Sequence, residues 1–130
     1  MVFLCNLYIL LFRVKASDMI GLHLIVDGVS VEPIRNFVVN EILTELPGKI
    51  GMKIIAGPII VAGEPENPGW TGFVIIDKSH ISIHTFEIGN LISIDVFSCK
   101  PFDVENVKNY LFKTLKLERL NIQLLQRSEA

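Results

Sequence analysis

Between Ile20 and Leu125 the chain falls into short runs in which apolar residues recur at every second position or at helical spacing. Leu22 to Val26 reads as a strand, ended by Asp27-Gly28. Pro33 opens a helix, because a first-turn proline gives up a donor that would be unpaired anyway. Ile34, Phe37, Val38, Ile42 and Leu46 recur along one side of that helix, and Pro47-Gly48 marks its end. Lys53 to Ala62 reads as a second strand, and Gly63 to Gly69, rich in proline and glutamate, as a loop. Three strands follow: Thr71 to Asp77, His80 to Phe86, and Leu91 to Ser98, the last two joined by a turn containing Gly89-Asn90. A second helix runs from an N-capping Asp103 to about Leu117, with Val104, Val107, Leu111 and Leu115 as its buried stripe. Arg119 to Leu125 closes the pattern as a strand, and the polar tail Gln126 to Ala130 is expected to fray. The pattern predicts an α+β fold, a two-layer α/β sandwich in which two helices cover one face of a largely antiparallel sheet.

Alternation also sorts the strand residues by face. Ile81 and Ile83 share one face of their strand, and His80, Ser82, His84 and Phe86 the other. In the next strand Ile92, Ile94 and Val96 oppose Ser93, Asp95, Phe97 and Cys99. The aliphatic faces belong under the helices. The second face is too polar for an ordinary core and too aromatic for plain solvent, so it reads as a site or as a sheet-on-sheet contact.

Composition sharpens this picture. The 130 residues are enough for one domain with its own core. Half are hydrophobic and 20% charged, which leaves few polar residues to cover an isolated surface and points to a homodimer. A net charge of −2 without a basic run argues against nucleic acid. Cys5 and Cys99 form no CxxC spacing, so neither a disulfide framework nor a metal site is expected, and a reducing cytoplasm fits. The apolar run Val2 to Phe12 is too short to span a membrane. Its positive charges, Arg13 and Lys15, follow it rather than precede it, unlike a signal peptide. Residues 1–18 therefore read as a dispensable extension, and 19–130 as the domain, with Met19 as a possible start of translation.

Reactive side chains concentrate in one stretch. Asp77-Lys78-Ser79-His80-Ile81-Ser82-Ile83-His84-Thr85-Phe86-Glu87 is followed by Asp95-Val96-Phe97-Ser98-Cys99, with the hydroxyl of Thr71 just upstream. Gly69-Trp70-Thr71-Gly72, Lys78 to Thr85, and Ile94 to Cys99, taken in order, resemble the prokaryotic S-adenosylmethionine decarboxylase family. Gly21-Leu22-His23-Leu24-Ile25-Val26 resembles the family's first strand. The resemblance implies a proenzyme that cuts itself between Lys78 and Ser79 and turns the serine remnant into a pyruvoyl cofactor. It implies His84 as the processing base, Thr71 as support for the oxyanion in the place of a family serine, and Cys99 as the acid that reprotonates the substrate carbon. The pyruvoyl would hold a small-molecule substrate as a Schiff base, and the product would be the aminopropyl donor of spermidine and other polyamines. No metal is implied. Family members pair as dimers with sites near the subunit interface.

Each residue also has a plainer reading. A serine at a strand junction is most often a turn residue, His84 alone a hydrogen-bonded structural histidine, and Cys99 alone an inert buried thiol. Only their joint order carries chemistry. His80 reads as structural and Asp95 as a hydrogen-bonding partner within the site. Trp70 is open to stacking on an adenine or to an interface role. The chain departs from the family where substrate is recognised. Phe86-Glu87-Ile88 lacks the family's proline and places the acid one residue early, so that a strand would turn it to the opposite face. Glu87 reaches the substrate only if the turn is rearranged. The loop Gly63 to Pro68 lacks the family's aromatic and histidine residues, and Lys100-Pro101 follows the cysteine in place of glycine. Two alternatives therefore stand beside S-adenosylmethionine: pyruvoyl-dependent decarboxylation of arginine or ornithine, and a non-catalytic regulatory paralogue.

Overall fold

The computed structural model describes residues 19–129; the extension 1–18, and with it the reading of its dispensability, lies outside the described residues. The elements run β1 (Met19–Ser30), α1 (Asn36–Lys49), β2 (Ala56–Ala62), β3 (Trp70–Ile75), β4 (His80–Phe86), β5 (Leu91–Ser98), α2 (Val104–Thr114) and β6 (Leu117–Ser128). All six strands form one sheet in the order β2-β3-β4-β5-β1-β6, and every neighbouring pair is antiparallel.

The strongest alternation gives the cleanest agreement. β4 and β5 have the bounds their pattern predicts, with Ile81, Ile83, Ile92, Ile94 and Val96 buried on the helix side. Leu24 and Val26 of β1, Val74 of β3, Leu43 and Leu46 of α1 and Leu111 of α2 complete the core between the layers. Each such aliphatic side chain contributes about 1.5–3 kcal/mol by leaving water.

β2 begins at Ala56 rather than Lys53, β3 runs from Trp70 to Ile75 rather than Thr71 to Asp77, and α2 ends at Thr114 rather than Leu117; three further differences have a tertiary reason. β1 passes through Asp27-Gly28 to Ser30, because Gly28 marks a close approach and not a turn: a Cβ there would lie 2.9 Å from the Arg119 carbonyl oxygen of β6. α1 begins at Asn36 and carries Pro47 inside its last turn, where the Leu46 and Pro47 carbonyls accept from the Ile50 and Met52 amides. Its buried stripe is Val39, Ile42, Leu43 and Leu46, while Phe37 is exposed. The stripe is set by Gly72 of β3, where a Cβ would stand 2.6 Å from Val39 Cγ1 and 2.7 Å from Leu43 Cδ1. Finally, Gln126 to Ser128 do not fray; they pair with the start of β1, Gln126 opposite Leu22 and Ser128 opposite Met19. α2 is capped as expected, Asp103 Oδ1 accepting from the Asn106 amide at 3.1 Å, and Lys116, in the left-handed region (φ 50°), turns the chain into β6.

The helices leave the other sheet face open. It carries the exposed apolar side chains of Ile59, Val61, Phe73, Ile75, Leu91 and Leu125 among the polar residues of β4 and β5. Registers across this face place His80, Phe97 and His23 in one row, Ser82, Asp95 and Ile25 in the next, and His84, Ser93 and Asp27 in a third.

Candidate active site

β3 and β4 meet at a tight corner. The Ile76 amide donates to the Ser79 carbonyl at 2.9 Å, which leaves Asp77-Lys78 as the tip. Asp77 adopts φ 63°, the left-handed conformation that such tips require and that aspartate tolerates better than most residues. Ser79 is buried at the foot of the corner, and its Oγ accepts from the Cys99 amide at 2.8 Å. The Cys99 thiol, just beyond β5, points to Asp77 Oδ2 at 3.9 Å. Ile20, Asp77, Lys78, Phe97, Cys99 and Lys100 line a cleft of about 480 Å³ beside this corner.

Thr71 and His84 lie at the other end of β4. They face each other in register, and Thr71 Oγ1 and His84 Nδ1 share a hydrogen bond of 2.9 Å. His84 is five residues along the strand from Ser79, a separation of roughly 16 Å at about 3.3 Å per residue. One copy of the chain thus joins Ser79 to Cys99 and Thr71 to His84, but does not bring the two pairs together. Trp70 and Glu87 lie at the same end of the sheet but on its helix side, where they line a cleft of about 420 Å³ with Glu32, Arg35 and Asn36 ahead of α1; the structure does not bring them to the face that carries Thr71 and His84. The Trp70 amide donates to Thr85 Oγ1 at 2.9 Å, and the Glu87 amide to the Pro68 carbonyl at 3.0 Å, so the turn is tied to the preceding loop. Ile88, the next residue of the turn, is 71% exposed.

Between the two ends lies an aromatic and charged cluster. The His80 ring stacks on Phe73 (5.4 Å between centroids) and on Phe97 (5.7 Å). The Arg127 guanidinium lies 5.3 Å from the Phe97 ring centre. His23 Nε2–H donates to Asp95 Oδ1 at 2.8 Å, and Ser82 Oγ approaches Asp95 Oδ2 at 3.5 Å. Burial first, and then the neighbouring His23, hold His80 below the ordinary histidine value; Asp95 opposes this and Arg127 adds to it. Asp95 is thus the hydrogen-bonding partner of His23 on the open face. Three contributors are not visible in the motifs: Asp77, whose contact with Cys99 depends on the corner; Phe73, placed by cross-strand register; and Arg127, hidden in an apparent tail. Among the described residues no three His, Cys, Asp or Glu side chains converge to hold a metal ion.

Fold and site together define a single-sheet α+β protein with a buried serine at a strand-to-strand corner and a thiol beside it. The same architecture occurs in the crystal structure of the adenosylmethionine decarboxylase from Aquifex aeolicus VF5, with a TM-score of 0.72 and 25% identity, over 87% of this chain and 94% of that one. The family model for S-adenosylmethionine decarboxylase matches residues 22–128, and the chain belongs to that family. The S-adenosylmethionine decarboxylase proenzyme of Clostridium botulinum (strain Hall) is 32% identical over 114 residues, 84% of this chain and 95% of the relative. That of Sulfurihydrogenibium sp. (strain YO3AOP1) is 30% identical, over 83% and 82%.

Proposed function

We propose that this chain is a self-processing, pyruvoyl-dependent decarboxylase of S-adenosylmethionine whose product feeds spermidine synthesis. The observation that carries the reading is the buried Ser79 hydroxyl, held by the Cys99 amide at the corner beside the Lys78–Ser79 peptide. Ser79 Oγ adds to the Lys78 carbonyl carbon; the C–N bond breaks as nitrogen takes a proton, and an ester remains. Removal of the Ser79 Cα proton then expels the Lys78 carboxylate. Water replaces the nitrogen at position 79, ammonia leaves, and a ketone stands at the new N-terminus.

Position 79 fits that product: it is buried, has one hydrogen-bond donor aimed at it, and has the thiol at its side. The pyruvoyl group supplies a carbonyl that binds the substrate amine and accepts the electron pair freed as carbon dioxide leaves. Cys99 then donates its proton to the substrate carbon. His84, held by Thr71, is the processing base, and a second copy supplies it. A two-fold axis across the open face sets the His84 end of one sheet against the Ser79 end of the other, and the exposed Phe73, Ile75, Ile59 and Val61 become the seal. Trp70 and Glu87 line a cleft with the residues that lead into α1, on the helix side of the sheet, so neither is assigned a contact with a substrate held on the open face.

Intact-mass measurement of the denatured protein tests the processing. Fragments ending at Lys78 and beginning with pyruvoyl in place of Ser79 are expected, and a Ser79→Ala variant stays whole. Carbon dioxide release from S-adenosylmethionine, arginine and ornithine then tests the substrate. The exposed Ile88 and the altered Gly63–Gly69 loop are what keep the two amino acids in the comparison. An uncleaved wild-type chain would leave the regulatory paralogue in its place.

A further inference from the structure

Asp77 has a side chain that its backbone role does not call for. A two-residue tip with a left-handed first residue is served equally by Asn and better by Gly, which adopts positive φ without a steric penalty. Here the tip residue is an aspartate, at φ 63°, and its carboxylate faces the thiol of Cys99 across the corner at 3.9 Å. In the uncut chain Ser79 Oγ holds the Cys99 amide from below at 2.8 Å, so there the same cysteine is fixed at its backbone by the serine and at its sulfur by the aspartate; after the cut the aspartate contact is the one whose atoms remain. Asp77 and Cys99 open onto the cleft that Lys78, Phe97 and Lys100 also line.

We infer that Asp77 is a positioning residue for Cys99: its carboxylate accepts the S–H and holds the sulfur at the cleft wall, from which the hydrogen turns about Cβ–Sγ to the substrate carbon. The inference rests on Cys99 being the proton donor. A thiol has one hydrogen and a free torsion about Cβ–Sγ, so without an acceptor its proton points in no particular direction. With the carboxylate in place the sulfur stays at the cleft wall. When the thiol gives its proton to the substrate carbon, sulfur is left negative, and it regains a proton from water at the exposed tip. No other reactant is needed. Asp77 does not touch the reacting carbon.

Variants at the tip separate this from a turn role. Asp77→Gly and Asp77→Asn both keep the left-handed corner, so self-cleavage by intact mass is expected at the wild-type extent. In cleaved Asp77→Gly, kcat for the substrate the wild type accepts falls about tenfold with KM within about twofold, and Asp77→Asn, whose amide oxygen still accepts, retains most of kcat. A second readout needs no cofactor. In the uncleaved Ser79→Ala protein, iodoacetamide labelling at Cys99, resolved by peptide mass, is expected to accelerate about threefold or more when Asp77→Gly removes the group facing the sulfur. Equal labelling rates with and without the carboxylate overturn the inference, as does an unchanged kcat in cleaved Asp77→Gly. If the wild-type protein decarboxylates none of the three substrates, the proposed function fails, while the labelling rates still decide whether Asp77 governs the thiol.

Discussion

His80, read from the sequence as structural, shows how neighbours in three dimensions occupy a side chain. It follows the candidate nucleophile directly in sequence, yet its ring is taken up by Phe73 and Phe97, and burial holds it below the ordinary value of 6.5. The unfolded chain therefore binds the proton first. This contribution to stability is whole above about pH 7 and is lost as pH falls through 6.5 toward the folded value. Thermal melts between about pH 7.5 and pH 5 should show the midpoint falling with acidity, and a His80→Phe variant should flatten that slope; equal slopes would reject the assignment. At the other end of β4, His84→Asn is expected to slow self-cleavage by about a hundredfold or more, read by intact mass over time. Thr71→Ser should cleave normally and Thr71→Val should not, because the hydroxyl is what His84 shares. The order of Thr71, Ser79, His84 and Cys99 was legible because chemistry fixes residue types along the chain. Their division into two separated pairs was not, since motif spacing says nothing about distance along an extended strand.

At the scale of elements, the strands whose two faces differ most in polarity were the most legible: β4 and β5 match their alternation from end to end. α1 was less legible: within the helix the predicted stripe shares only Ile42 and Leu46 with the buried one, which turns Val39 and Leu43 onto the bare Gly72 beneath it. That contact is testable. Gly72→Val should destabilise the fold by about 1–3 kcal/mol, measured as a lower urea midpoint with unchanged slope, since both the helix and β3 must shift to admit the side chain. The last strand was truncated in the pattern because Gln126 to Ser128 look like a tail until β1, which reaches back to Met19, supplies their partner. Edge pairing of this kind leaves no local signal.

For the whole molecule, the decisive question is whether the two pairs of site residues meet across copies. Ser79→Ala and His84→Asn chains, each inert alone, are expected to complement when mixed and refolded together: the His84→Asn chain is cut, because its Ser79 is intact and its partner brings His84. Absence of any cut chain in the mixture would place the whole site within one copy. A charge on the open face, Phe73→Asp, should give a monomer by light scattering and abolish cleavage. The strand order has a further consequence once the Lys78–Ser79 bond is broken. One fragment then owns β1, β2 and β3 and the other β4, β5 and β6, yet β1 lies between β5 and β6. The halves are interleaved like clasped fingers, so neither can drift away while the sheet holds. What folds as a single chain would, after its own cut, have to reassemble from two. Recovery from denaturant should then depend on protein concentration, and maturation becomes a ratchet that turns once.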